Sequence, residues 1–249
     1  MAFEISDYKY NPWPLGNLPE EWKRPEPEQL RNLGYSWSDP REIVDIFEQK
    51  IAKFAGSKYA VAVDSCSHAI FLSLKFRGGN GELVIPRNTY ASVPMQVLHA
   101  GYKPVFSSKD WVGTYPVGSS GVIDGAGRFR PGMYEGNGAL HTLSFQIKKR
   151  LPIGRGGAIL TDSPEAYNWL KRSSYDGRDL KTPYDSKDHI GQLGWHFYMT
   201  PEDAARGVIL MDLLGSDYSD TMWAEMYPDL SKSNAFKDLG TLEEERSND

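Results

Sequence analysis

Between Tyr59 and Phe106 the chain alternates between short apolar runs and stretches of helical periodicity, and this alternation restricts its fold more than any other feature. Tyr59-Ala60-Val61-Ala62-Val63, Leu83-Val84-Ile85 and Pro104-Val105-Phe106 read as buried strands, with helices over 67–76 and 89–100 between them. Parallel strands need a crossover, and a helix is the usual one, so this strand–helix rhythm predicts an α/β fold: a mostly parallel sheet flanked by helices. Further strands are expected at 121–124, 140–145 and 157–161, and further helices at 164–173 and 201–214. A helix also precedes the first strand. Asp39 serves as its N-cap, Pro40 takes the first position and Glu42 completes a capping box; Ile43, Phe47, Ile51 and Phe54 share one face, and Gly56 ends it.

The flanks lack this rhythm. The first forty residues are rich in Pro, Trp and Tyr, as in Tyr10-Asn11-Pro12-Trp13-Pro14, and read as an extended aromatic arm. Residues 41–215 form the α/β domain, and 216–249 read as a polar tail, frayed and acidic from about Ser231. Cys66 is the single cysteine among 249 residues, which rules out an intrachain disulfide and a cysteine-based zinc cluster and fits a reducing compartment. There is no run of about 20 apolar residues and no basic-then-apolar start, so a cytoplasmic location is expected, with no membrane partner. The net charge of −5 comes without a basic cluster, which argues against a nucleic-acid surface and for small-molecule partners. No metal site is expected.

Three groups could carry chemistry. The first is the turn Asp64-Ser65-Cys66-Ser67-His68, where a strand runs into a helix and leaves free amides and hydroxyls at a positive helix N-terminus, a natural phosphate seat; Ser65 or Ser67 could equally be a plain N-cap. The second is Asp124, at the end of an apolar strand and followed by Gly125-Ala126-Gly127, able to hold a protonated ring nitrogen or to act as a turn residue. The third is Lys148-Lys149-Arg150 in a loop after a strand, a source of an amine nucleophile or a solvated basic patch. All three fall at the carboxyl ends of the expected parallel strands, where open α/β sheets bind ligands. Phosphate seat, carboxylate and lysine are the parts that pyridoxal 5'-phosphate requires.

From about Arg41 to Leu214 the chain resembles the DegT/DnrJ/StrS family of PLP-dependent sugar aminotransferases. The resemblance lies in Phe47-Glu48, Phe54-Ala55-Gly56, the turn from Val63 to Ala69, Pro86, Thr89-Tyr90, Val122-Ile123-Asp124, Ser144-Phe145 with a lysine four positions on, Gly156-Gly157, and the stretch from Gly194 to Thr200. It implies a fold type I large domain and a catalytic pair. Lys149, rather than Lys148, would form the internal Schiff base, and Asp124 would hold the pyridine nitrogen. Cys66 and Ser67 would bind the cofactor phosphate, with Ser144 adding a hydrogen bond. Tyr90 would stack on the ring, or face the core from its helix. The family has Asn where this chain has His196, on a segment that reaches the partner subunit's site; this implies a homodimer with shared active sites, in which His196 contacts the phosphate or serves only as a structural hydrogen-bonder.

The chain also departs from the family. It is shorter between Phe106 and Val122, which implies a missing strand, and the small C-terminal domain is expected to be largely absent, which would leave substrate less enclosed. Gly127 stands where relatives carry Gln or His near the cofactor's phenolic oxygen; His68 and Gly125 are milder changes. The reaction implied is transfer of an amino group from a donor such as glutamate to a nucleotide-linked keto sugar, in polysaccharide or antibiotic-sugar synthesis. The alternative is a catalytically degenerate PLP- or nucleotide-sugar-binding protein acting as a sensor or partner subunit.

Overall fold

A computed structural model describes residues 23–242 other than Lys181, Tyr184 and Asp188. The aromatic stretch before residue 23 and the acidic end after residue 242 lie outside the described residues. Eight strands form two sheets: β1 (Tyr59–Val63), β4 (Tyr115–Pro116), β5 (Val122–Asp124), β6 (Leu140–Ser144) and β7 (Gly157–Thr161) in the order β1-β7-β6-β5-β4, and β2 (Glu82–Pro86), β3 (Lys103–Ser107) and β8 (Gly240–Leu242) in the order β2-β3-β8. In the larger sheet β5 and β6 are parallel, β7 runs opposite to both β6 and β1, and the two-residue β4 runs opposite to β5. All pairings in the smaller sheet are parallel.

The two faces of the larger sheet are covered by different helices, and side-chain alternation along the strands sorts the core accordingly. Val61, Val63, Leu140 and Ile159 face the side of α3 (Cys66–Arg77), joined by α4 (Ser92–His99) and α5 (Pro164–Ser173). Ala60, Ala62, Leu143, Ala158 and Leu160 face α2 (Glu42–Ala55) and α6 (Pro201–Asp212). Residues Ala69 to Leu74 of α3 are buried without interruption, because this helix is enclosed by sheet and helices on several sides. By contrast α2 is amphipathic and lays Ile43, Phe47 and Ile51 on the core, with Phe47 edge-on to Phe145 at 5.5 Å. No helix among the described residues is long and apolar enough to cross a membrane.

The expected capping box forms, one turn earlier than the regular helix. Glu42 accepts from the Asp39 amide (3.1 Å), Asp39 accepts from the Arg41 amide (2.9 Å), and residues 39–41 make a tight turn before α2 begins at Glu42. Similarly, α4 starts at Ser92 rather than at Thr89, which leaves Thr89 and Tyr90 in the turn that follows β2.

Two flanking features differ from the sequence expectation, and the shortened stretch between Phe106 and Val122 agrees with it. Within the stretch read as an extended arm, Glu26–Asn32 forms α1, which packs on α6 and buries Leu30 completely. Seven residues offer too few turns for a periodic signal to stand out. Residues 216–242, read as part of a tail, fold back over the domain: Met222, Ala224, Leu230 and Phe236 are buried, Phe236 meets Phe106 edge-on at 6.0 Å, and β8 pairs with β3. Their apolar residues are spaced with neither helical nor strand period, so nothing in the pattern marks them as core. Finally, between Phe106 and Val122 the chain supplies only the two residues of β4, and the sheet is accordingly split between β4 and β2–β3.

Candidate active site

The carboxyl ends of β1, β2, β5 and β6, and the amino end of the reversed β7, converge on one region. At the end of β1, extended Ser65 is the N-cap of α3 and its Oγ accepts from the His68 amide (3.2 Å). The next amides, those of Cys66 and Ser67, are the first of the helix, where no intrahelical carbonyl is in reach. Gly157 packs directly under this turn: a Cβ there would stand 2.6 Å from the Cys66 nitrogen, so only glycine lets β7 approach so closely. The Ser67 hydroxyl is 2.7 Å from that of Ser92 at the start of α4. The remaining members of the turn are structural. Asp64 accepts from Arg155 (2.7 Å) and pairs with His68 Nδ1 (2.6 Å), while the His68 ring lies flat on Phe197 at 3.6 Å.

Asp124 ends β5 and is buried. One of its oxygens accepts from the Tyr115 hydroxyl at 2.6 Å, the other from the Ala126 amide at 2.9 Å. Tyr115 in turn hydrogen-bonds Thr89, so β4 and the turn after β2 meet over the carboxylate. Thr142, opposite Asp124 in the parallel β5–β6 register, lies 3.8 Å from the Cys66 sulfur and ties the phosphate-seat turn to the same face. Burial pushes the Asp124 carboxyl above its ordinary range, and it is opposed by the two hydrogen bonds and by the charge of Lys149. Burial likewise pushes the Cys66 thiol up, with the Asp124 charge adding to it.

Lys149 lies in the loop after β6, where its amide donates to the Gln146 carbonyl at 2.8 Å and starts a turn. That turn separates two neighbouring lysines. Lys148 is exposed, whereas Lys149 is half-buried, and burial pulls its ammonium down while the charges of Asp124 and Cys66 pull it up. Ser144, half-buried at the end of β6, faces Gly157 across the β6–β7 ladder. Tyr90 is 61% exposed and points its ring at Tyr227 rather than into the core, which is the geometry an open stacking face needs. His196 is the member this chain does not bring in: it is exposed, hydrogen-bonds Asp176 (2.9 Å) and packs on the Tyr198 ring edge, contacts that belong to a separate cluster.

Sequence reading missed Tyr115, Thr142, Trp111 and Tyr227. The first two become visible only through strand register. Trp111, in the stretch between Phe106 and Val122 that the sequence reading noted only for its shortness, packs on Tyr115 at 4.7 Å. Gly127 also gains a physical reason. A Cβ at this position would stand 2.8 Å from the Met222 Cβ and 2.9 Å from the Gly113 carbonyl, so the returning C-terminal segment occupies the space a longer side chain would need.

Several solved aminotransferases share this α/β fold. A DegT DnrJ EryC1 StrS aminotransferase from Brucella abortus superposes with a TM-score of 0.65 at 16% identity, covering 87% of this chain and 83% of that one. DesI in the presence of its TDP-sugar product superposes with a TM-score of 0.56 at 20% identity, covering 76% of this chain and 57% of DesI. Residues 28–112 match the DegT/DnrJ/EryC1/StrS aminotransferase family, in agreement with the resemblance read from the sequence. Over 96 residues, 38% of the chain and 25% of the relative, it is 38% identical to the spore coat polysaccharide biosynthesis protein SpsC of Bacillus subtilis (strain 168). Its matches span between 25% and 55% of the length of its curated relatives.

Proposed function

We propose that this protein is a PLP-dependent aminotransferase that acts on a keto sugar, nucleotide-linked, with an amino acid such as glutamate as donor. The observation that carries this reading is a half-buried amine, Lys149, within electrostatic range of a buried carboxylate, Asp124, beside a helix N-terminus able to take a phosphate. The donor set fits pyridoxal phosphate: an anion seat, an acid for the ring nitrogen and an amine for the aldehyde. When bound, the cofactor supplies an electron sink that stabilises negative charge at the substrate's amino-bearing carbon.

The chain's own residues do the rest. The amides of Cys66 and Ser67 and the hydroxyls of Ser67 and Ser144 hold the phosphate, and Tyr90 offers its exposed ring as a stacking face. Asp124, kept in place by Tyr115 and the Ala126 amide, accepts from the ring nitrogen and holds the proton there. Lys149 would hold the cofactor's aldehyde and, as a free amine, could carry a proton at the substrate carbon; its lowered pKa favours the neutral form this requires. The sugar and its nucleotide follow from the resemblance to SpsC and DesI. Exposed His196 and the apolar surface near it, with Leu193 90% exposed, support a homodimer in which this stretch meets the partner's site. A cytoplasmic location is part of the same reading.

The test is borohydride reduction of protein incubated with pyridoxal phosphate, followed by peptide mass mapping. A pyridoxyl group fixed on Lys149 in the wild type and absent from Lys149→Ala is expected, and glutamate should convert the bound cofactor to its amino form. A protein that binds cofactor yet is unchanged by Lys149→Ala and inert to every amino donor would favour a binding or partner subunit instead.

A further inference from the structure

Residues Thr221 to Tyr227 form a strap across the mouth of the site, fastened along its length. The Thr221 amide and hydroxyl donate to the Gly127 carbonyl (2.8 and 3.2 Å), the Gly113 amide donates to the Met222 carbonyl (2.8 Å), the Ala224 amide to the Trp111 carbonyl (3.1 Å), and Asn88 Nδ2 to the Tyr227 carbonyl (2.8 Å). Gly127 follows β5 and Asn88 follows β2, two of the converging ends, while Trp111 and Gly113 lie between β3 and β4. The strap therefore delivers the Tyr227 ring onto Trp111, stacked at 5.9 Å and 28°, and edge-on to Tyr90 at 6.4 Å and 76°. Trp111 itself rests on Tyr115, whose hydroxyl is bonded to Asp124, so Tyr227 belongs to a chain of aromatic contacts that starts at the carboxylate.

The Tyr227 hydroxyl has a weak partner, the Met222 sulfur at 3.4 Å. A better acceptor would take it. Burial and the nearby charges of Asp124, Tyr90 and Cys66 push this phenol up to about 12, so it stays a proton donor throughout the physiological range. No side chain at position 127, in the loop after β5, can serve here, because Gly127 is hemmed in by Met222 and Gly113.

Resting on the cofactor reading above, we propose that Tyr227 is a cofactor-binding residue of this chain: its ring, with Tyr90, borders the aromatic group held at Asp124, and its hydroxyl donates to an oxygen of that group. The C-terminal strap thus supplies the polar contact that position 127 cannot.

The experiment uses the full chain titrated with pyridoxal phosphate, read by absorbance and protein fluorescence, for the wild type, Tyr227→Phe, Tyr227→Ala and Lys149→Ala, with borohydride mapping of Lys149 in parallel. Tyr227→Phe should bind about ten-fold more weakly, the cost of one hydrogen bond to a polar oxygen, with a displaced pH midpoint of the visible band and an unchanged melting curve. Tyr227→Ala should bind more weakly still. Unchanged affinity and pH midpoint in Tyr227→Phe, with Lys149 labelled normally, would overturn the role of Tyr227 and leave the cofactor reading intact. Tighter binding by Tyr227→Ala would also overturn it, since the ring would then obstruct the site. A wild type that neither binds nor labels would overturn both. If Tyr227→Ala fails to fold, Tyr227→Phe decides, because it keeps the ring and its packing.

Discussion

Asp124 and Lys149 show how burial and charge compete at single residues. Burial favours the neutral form of each, raising the acid and lowering the base, while their mutual attraction favours the charged form of both. Tyr115 tips Asp124 toward the carboxylate by donating to it, so a tyrosine in a two-residue strand helps set the charge state of the site. On the opposite face of the same sheet, His141 is a contrasting case. It is 4% exposed, neither ring nitrogen has a hydrogen-bond partner among the described residues, and it borders a cavity of about 110 Å³ that Pro116, Ile123 and Glu135 also line. Burial is the main cause of its lowered pKa, with Arg128 adding to it and Glu135 opposing. An unfolded histidine takes up its proton near pH 6.5, whereas the folded one does so only at lower pH. Between those points the unfolded chain binds more protons, so the stability that neutral His141 allows is complete above about pH 6.5 and falls as the pH drops toward the folded value. His141→Phe keeps the ring that meets Tyr134 edge-on at 5.0 Å. It should flatten the fall in melting temperature below about pH 6.5; an unaltered slope would place the acid sensitivity elsewhere.

At the scale of elements, the turn between β1 and α3 depends on its neighbour β7. Ser65 caps the helix by itself, but the position of the Cys66 and Ser67 amides is set by the close passage of Gly157 beneath them. Gly157→Ala would place a methyl 2.6 Å from the Cys66 nitrogen and the Ser65 carbonyl carbon, both backbone atoms that cannot rotate away. The turn must then move. We expect a loss of about 1–3 kcal/mol in stability, as for an overpacked core site, together with at least a ten-fold loss in affinity for pyridoxal phosphate. Chemical denaturation and a binding titration would measure the two effects separately. Retained affinity would mean that the seat is more tolerant than this contact allows. The same dependence explains why the paired glycines at 156 and 157 carried a signal in the sequence while the contact itself did not.

For the whole molecule, the split between the two sheets is the feature that organises the rest. With β4 reduced to two residues, the β2–β3 unit joins the larger sheet through α3, α4 and the returning segment from Asp220 to Leu242. Asp220 holds Arg128 near β5 (2.8 Å), the Leu230 amide donates to the Arg87 carbonyl after β2 (2.9 Å), and Phe236 anchors the segment on Phe106. Phe236→Ala should cost about 3–5 kcal/mol and, by loosening the strap that carries Tyr227, weaken cofactor binding as well. Denaturation midpoints and a cofactor titration test both; a destabilised protein with full affinity would show that strap and anchor are independent. Much of this architecture could be read before any coordinates. The apolar runs at 59–63 and 83–85, the helices between them and the cap at Asp39 rest on local spacing, because pattern and chain direction alone decide which residues face a core and which fall at strand ends; the choice of Lys149 over Lys148 rests on the family resemblance. Tyr115 against Asp124, Met222 against Gly127 and Tyr227 on Trp111 join residues that are distant along the chain or share no periodic pattern. Only strand register and the returning C-terminal segment bring them together, since contacts across a sheet or over its edge leave no trace in local periodicity.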